Sequence, residues 1–282
     1  MSDTSNSVHF VDCQINEQGV AYLTLKRPDV HNAFDDHLIA ELVRRLEALH
    51  ASPPRVLVLG SIGKSFSAGA DLGWMQRMAQ YTEAENKQDA LALARLMQLL
   101  DTLPCPSIAR VQGAAYGGAV GLAACCDLVI ASEKARFCLS EVKIGLSPAV
   151  ISPYVIKAIG QRAMRRYALT AEVLDAVQAH TLGLVHEVVD SDQLDVRVDA
   201  FIQLLLANSP QGVRSTKALI HAIGDRPIDD SVQQKTTDLI ASIRVSAEGQ
   251  EGLSAFFQKR VPQWPDLHPI DRHSQEEHPY VP

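Results

Sequence analysis

The chain has 282 residues, 46% of them hydrophobic, and a formal net charge of -7. That length and apolar content fit a globular protein with a sizeable core, while the acidic balance argues against general nucleic-acid binding, which needs a basic stripe. No apolar run reaches the roughly 18 residues of a membrane span. The opening Met1-Ser-Asp-Thr-Ser-Asn-Ser has neither the basic start nor the apolar stretch of a signal peptide, so a cytoplasmic location is expected.

In chain order, Gly19 to Leu25 reads as a strand, rich in β-branched and aromatic residues. Arg27-Pro-Asp-Val-His-Asn is a turn, and Asp35 or Asp36 is placed to cap a helix running to Leu49. Arg55 to Gly60 is a short apolar run bounded by Pro54 and Gly60, hence a buried strand. Ser67 to Asp71 is a turn of small residues. Ala84 to Leu103 carries Leu91, Ala94, Leu96, Leu99 and Leu100 at helical spacing. Ser107 to Gln112 is the next strand. Gly113 to Gly121 is a second small-residue turn, opening a short buried helix at Leu122. Leu128 to Ala131 and Ala135 to Cys138 are further strands. Beyond about Asp192 only helical patterns remain, over 194–207, 209–223 and 231–259. Alternating strands and helices indicate an α/β fold with crossover connections. The tail beyond Trp264 has no periodicity and reads as disordered.

Two segments stand out. Ser67-Ala-Gly-Ala-Asp71 and Gly113-Ala-Ala-Tyr-Gly-Gly-Ala-Val-Gly121 put glycines where an apolar run breaks. Without a Cβ, such turns let a ligand approach the backbone. Two of them can aim two N–H groups at one oxygen, stabilising charge that develops there. The second turn follows a strand and opens a helix, so the helix dipole supports the same polarity. Downstream, Phe137-Cys-Leu-Ser-Glu-Val-Lys-Ile-Gly145 places Glu141 among apolar neighbours, which would raise its pKa. Two turns and a semi-buried acid suggest chemistry through an enolate-like intermediate. On residues alone, ordinary tight loops and a Glu paired with Lys143 would also satisfy the pattern.

Other readings are weaker. The second turn lacks the G-x-G start of a dinucleotide fingerprint, and Gly63-Lys-Ser65 lacks the first glycine of a P-loop, position 58 being Val. Ser67 has no Gly two residues before it, so it is not a nucleophile elbow. Five cysteines (Cys13, Cys105, Cys125, Cys126 and Cys138) are odd in number and lack CxxC spacing, and read as reduced thiols. His31, His37, His180 and His186 form no metal-spaced set, and no metal is expected.

Taken with Leu25-Lys-Arg-Pro-Asp-Val-His-Asn-Ala33 and Glu251-Gly-Leu-Ser-Ala-Phe-Phe-Gln-Lys-Arg260, these segments resemble the crotonase, or enoyl-CoA hydratase/isomerase, family from about Val11 to Trp264. The resemblance implies a crotonase-type ββα spiral core over 1–192, a C-terminal helical trimerisation region over 193–264 and a tail over 265–282. It implies a homotrimer or a dimer of trimers. It makes Glu141 the catalytic acid/base and the N–H groups of Ala70 and Gly118 the oxyanion-hole donors. It lays an acyl-CoA along Ala70, Asp71, Leu72, Gly73, Gly117, Gly118 and Gly121, with Phe256 and Lys259 reaching the CoA of a neighbouring subunit. No cofactor is implied beyond the coenzyme A of the substrate.

The sequence departs from the family at Gly121, where typical hydratases carry a second Glu. One carboxylate can still perform both proton transfers in turn, and the missing side chain is expected to leave room for a larger or more polar acyl chain. The run Leu146-Ser-Pro-Ala-Val-Ile-Ser-Pro-Tyr154 and the segment Cys125-Cys126-Asp127 resemble the bacterial methylglutaconyl-CoA hydratases of leucine degradation. The implied reaction is 3-methylglutaconyl-CoA to 3-hydroxy-3-methylglutaryl-CoA. The alternatives are isohexenylglutaconyl-CoA hydration in acyclic terpene degradation, or Δ3,Δ2-enoyl-CoA isomerisation by Glu141 alone. Some relatives bind RNA, a role that the acidic balance opposes. Arg77 or an Arg of the tail helices is a candidate to hold a distal substrate carboxylate.

Overall fold

The computed structural model describes residues 10–264, so the expected disordered tail over 265–282 lies outside the described residues. The chain begins with the antiparallel pair β1 (Val11–Ile15) and β2 (Val20–Leu25). Then come α1 (Asp36–Ala51), β3 (Val56–Ser61), α2 (Leu72–Met78), α3 (Glu83–Asp101), β4 (Ser107–Val111), β5 (Ala114–Tyr116) and α4 (Gly118–Cys125). Next are β6 (Leu128–Ser132), β7 (Arg136–Cys138), a 3₁₀ turn over Glu141–Ile144, α5 (Ser152–Thr170), β8 (Leu174–Asp175), α6 (Ala176–Thr181) and β9 (Glu187–Val189). The last four elements are helices: α7 (Leu194–Leu206), α8 (Pro210–Ile223), α9 (Asp230–Val245) and α10 (Ala247–Gln258). The α/β class and the C-terminal helices are as the sequence indicated.

Six strands form the main sheet in the order β1-β2-β3-β4-β6-β9, parallel from β2 onward. Every residue of β3 and β4 is buried, which explains their unbroken apolar runs: a parallel strand covered on both faces has no solvent side to alternate toward. On one face, Leu38, Ile39, Leu42, Leu46 and Leu49 of α1 pack into the core with Leu96, Leu99 and Leu100 of α3. Each such side chain, fully buried, contributes about 1.5–3 kcal/mol. Asp35 caps α1, its carboxylate accepting the Leu38 N–H at 2.7 Å, and Pro53-Pro54 follow its end.

The other face is covered by α7, whose Leu194, Val198 and Ile202 pack on Val20, Val56, Val58, Ile108 and Ile130. The first helix of the expected trimerisation region is therefore a layer of the core. Helix α8 is tied to the core through Lys217. Its buried Nζ donates to Asp127 Oδ2 at 2.6 Å and to the Cys105 carbonyl at 3.0 Å, and Asp127 also accepts the N–H and hydroxyl of Ser107. The single helix expected over 231–259 is two, because Ser246 turns to an extended conformation and its hydroxyl caps α10 by accepting the Gly249 N–H. No helix among the described residues is long and apolar enough to cross a membrane.

A second, small sheet positions the site. It has the order β5-β7-β8, with β5 and β7 parallel and in register as Ala114↔Arg136, Ala115↔Phe137 and Tyr116↔Cys138. Parallel neighbours run in the same direction, so the residues after each strand emerge at the same edge of the sheet. After β5 comes Gly117-Gly118, and after β7 comes the turn carrying Glu141.

Candidate active site

Three backbone segments converge at that edge. Ser67 is bridged to β5, its N–H donating to the Ala114 carbonyl and its carbonyl accepting the Tyr116 N–H. Three residues on, Ala70 is bridged to Phe34. The Phe34 N–H donates to the Gly69 carbonyl and the Phe34 carbonyl accepts the Asp71 N–H, both at 2.7 Å. In a parallel bridge of this kind the bonded groups on one strand belong to the residues flanking the bridge residue. The N–H of Ala70 is therefore turned away from Phe34.

Gly69 has a φ of 93°, and a Cβ there would stand 3.1 Å from the Tyr116 carbonyl oxygen. Gly117 has a φ of 53° and its N–H donates to the Cys138 carbonyl. A Cβ on Gly117 would lie 3.2 Å from Oε1 of Glu141 and 4.0 Å from the Gly69 Cα. Only glycine meets both demands, a left-handed φ and a carboxylate almost in contact. Gly118 follows as the first residue of α4, where the N–H groups of a helix have no partner within it.

Glu141 opens a single 3₁₀ turn and is not on a strand. Its Oε2 is buried with no hydrogen-bond partner. Burial raises its pKa above the ordinary carboxylate range, only partly offset by its own backbone N–H. Lys143, the alternative ionic partner, is exposed and plays no part in the shift of the Glu141 pKa. An undersolvated carboxylate beside two glycine turns is suited to moving a proton at a carbon next to a carbonyl.

Asp71 caps α2, with Oδ1 accepting the N–H groups of Gly73 at 2.9 Å and Trp74 at 3.1 Å. Leu72 and Gly73 are exposed on the first turn of α2. The Gly73 N–H, expected along the CoA, is thus occupied by the Asp71 cap. Arg77 is paired with Asp36 at 2.5 Å, so a substrate carboxylate would have to compete for it. Phe256 and Lys259 are exposed at the end of α10, which packs on α8 and α9.

Gly121 requires a correction. It is buried, and it opens no room for an acyl chain: a Cβ there would lie 2.3 Å from Cγ2 of Ile151 and 3.2 Å from Sδ of Met97. Ile151, itself buried, fills the volume a side chain would have used. The residues that the sequence reading missed are Phe34 and Arg27. Arg27 was visible in the Arg27-Pro28 turn, but nothing in the turn shows what its guanidinium meets. Among the described residues, no group of three or more His, Cys, Asp or Glu could hold a metal ion.

The chain matches the family described as enoyl-CoA hydratase/isomerase over residues 15–267. A crystal structure of an enoyl-CoA hydratase from Shewanella pealeana superposes with a TM-score of 0.87 at 51% identity, covering 92% of this chain and 97% of that one. The 2,3-dehydroadipyl-CoA hydratase of Escherichia coli is 32% identical over 251 residues, 87% of this chain and 95% of that protein. The crotonyl-CoA hydratase of Syntrophomonas wolfei is 29% identical over 247 residues, 86% of this chain and 94% of that protein. The two glycine turns and the buried acid meet at one edge of a fold shared with these enzymes. The chain belongs to the enoyl-CoA hydratase/isomerase family, the crotonases.

Proposed function

We propose that the protein adds water to a 2-enoyl-CoA thioester, with Glu141 as the only proton carrier. The observation that carries this reading is the partnerless Oε2 of Glu141 beside the Gly69 and Gly117 backbones. The thioester oxygen sits between the N–H groups of Ala70 and Gly118. Glu141 takes a proton from water as the water oxygen bonds to C3 of the acyl group. The C2–C3 π pair moves toward the carbonyl, and the negative charge arrives on the oxygen facing the two donors. Glu141 then returns a proton to C2, and the carbonyl re-forms. Atoms and electrons balance without a redox step, so no cofactor is needed beyond the coenzyme A of the substrate. Leu72, which follows Asp71, and Ile144 and Leu146, which follow Glu141, are exposed and offer apolar surface suited to an acyl or pantetheine chain.

For the acyl group we favour 3-methylglutaconyl-CoA, giving 3-hydroxy-3-methylglutaryl-CoA in leucine degradation. A relative named for 2,3-dehydroadipyl-CoA, another acyl chain ending in a carboxylate, supports a distal acid. The absence of a carboxylate at position 121 also removes a like charge that would repel one. The protein acts in the cytoplasm as a homotrimer or a dimer of trimers. Exposed Ile228, Val245, Phe256, Phe257 and Val261 supply apolar surface for that assembly. The test is turnover of 3-methylglutaconyl-CoA, crotonyl-CoA and a 3-enoyl-CoA by the purified protein. One observation favours a second reading: Ile151 fills the Gly121 notch, so no second carboxylate fits there, and one suffices to shift a double bond. Conversion of the 3-enoyl-CoA without hydration of either 2-enoyl-CoA would select that isomerase.

A further inference from the structure

The side chain of Arg27 is held between two carboxylates that flank the Phe34–Ala70 bridge. Nη1 lies 2.8 Å from Asp35 Oδ2 and donates to the Ala33 carbonyl at 2.8 Å, while Nη2 lies 3.5 Å from Asp71 Oδ2. The three side chains are 13%, 11% and 20% exposed, so solvent screens them little. The stem of Arg27 is fixed as well. Its N–H donates to the buried Asn32 side chain at 2.8 Å, and its carbonyl accepts the Asn32 N–H. The ring of Phe10 stacks under the guanidinium at 4.6 Å.

The two carboxylates are not neighbours by chance of sequence. Asp35 follows Phe34 and caps α1; Asp71 follows Ala70 and caps α2. Each cap fixes where its helix begins. The short bridge between Phe34 and Ala70 lies between the two caps. Two backbone hydrogen bonds alone leave that bridge free to twist. A planar cation joining both caps removes the freedom, because the fork can engage two acceptors at once where an ammonium acts as a point charge.

We propose that Arg27 is a positioning residue that sets the aim of the Ala70 N–H, and through it the strength of the oxyanion hole. The inference rests on the proposed function, in which that N–H receives the thioester oxygen. A donor displaced by about 1 Å costs on the order of 10²-fold in rate, so Arg27→Gln is expected to lower kcat by about that factor and leave KM unchanged. A loss in kcat with KM held is the pattern of an interaction made in the transition state.

The test uses a readout that folding alone does not move. Crotonyl-CoA carrying ¹³C at its thioester carbonyl is bound to the Glu141→Gln enzyme, and the carbonyl stretch is recorded by isotope-edited infrared spectroscopy. Oxyanion donors polarise the carbonyl and lower its stretching frequency. Adding Arg27→Gln is expected to remove roughly half of that shift or more, since one of two preorganised donors is misaimed. Arg27→Lys, which keeps a cation between the caps, and Asp71→Asn, which keeps a cap without its charge, are read by the same band if Arg27→Gln fails to fold. Each is expected to give a smaller loss of shift. An unchanged band in the folded variants overturns the role of Arg27 while leaving the oxyanion hole standing. A band that is unshifted already in the Glu141→Gln enzyme overturns the hole itself, and the Arg27 inference falls with it.

Discussion

The Cγ2 methyl of Ile151 occupies the space that a side chain at Gly121 would need, 2.3 Å from the position its Cβ would take. The two residues make one packing unit, joining α4 to the start of α5 across thirty positions of sequence. Position 121 lies one helical turn beyond Gly118, on the same face of α4. A second carboxylate there is thus blocked by volume as well as absent from the sequence.

Gly121→Ala should therefore destabilise the fold by about 1–3 kcal/mol, the usual cost of forcing atoms into a packed core. Gly121→Glu should fare worse, and combining it with Ile151→Ala should recover much of the loss. Thermal unfolding of the three variants checks this. A Gly121→Glu protein as stable as wild type would show that Ile151 moves aside without cost.

Glu141→Gln should lower turnover by roughly 10²–10⁴, as for loss of a general acid–base. In the wild type, kcat/KM should rise with pH through a pKa above the ordinary carboxylate range, and this limb should vanish in the variant. The same substitution should stabilise the protein. Burial raises the Glu141 pKa, so the native state binds the proton more tightly than the unfolded chain does. Stability then falls as pH rises from the unfolded pKa to the raised one, and above it the whole cost is present. Glu141→Gln should melt higher than wild type at neutral pH, with the gap closing below the ordinary carboxylate range.

Sequence and structure part company in a physically regular way. Strands β2, β3 and β4 and helix α3 were legible because burial on one or both faces writes itself into composition. The two glycine turns, Glu141 and strand β7 were legible too, but the sheet that aligns them was not. Strand β5, with three residues, falls inside the expected Gly113–Gly121 turn, and β8, with two, goes unread. Such pieces are too short to show a period, and their pairing is set by distant partners. The missing acid at Gly121 could be read, but the filling of its space by Ile151 could not. Arg27 sat in plain view as a turn residue, whereas its partners Asp35 and Asp71 lie 8 and 44 positions away.

Lys217→Met should loosen α8. Asp127 keeps its two bonds from Ser107, so the loss should be about 1–3 kcal/mol, the cost of leaving a partly buried acceptor short of a donor. The expected sign is faster amide exchange in α8 than in the central sheet, followed by mass spectrometry. Uniform exchange in both would show that Lys217 does not tie α8 down.

Light scattering should give the mass of three or six chains. An apolar cleft of about 570 Å³ between α7, α8 and the start of β6, walled by Leu128, Leu205, Val213 and Ile220, adds to the uncovered surface of α9 and α10. A monomer at micromolar concentration would remove the assembly from the proposal.

On substrate, kcat/KM for 3-methylglutaconyl-CoA should exceed that for crotonyl-CoA by about tenfold or more, roughly 1.4 kcal/mol at the transition state. The reverse order would remove the distal carboxylate from the reading.

The three residue pairs of β5 and β7 have a consequence for how such a gene can change. They act as a ruler that sets Gly117 against Glu141. One residue inserted into either strand would slip the ruler by about 3.3 Å and turn alternate side chains to the wrong face. Such an insertion would silence the enzyme even if the protein stayed folded. The exposed run Lys143–Ser147 lies past the last mark, so lengthening it would alter which acyl groups are admitted without changing that distance. Insertions tolerated in the second place and lethal in the first are the pattern a library of length variants should return.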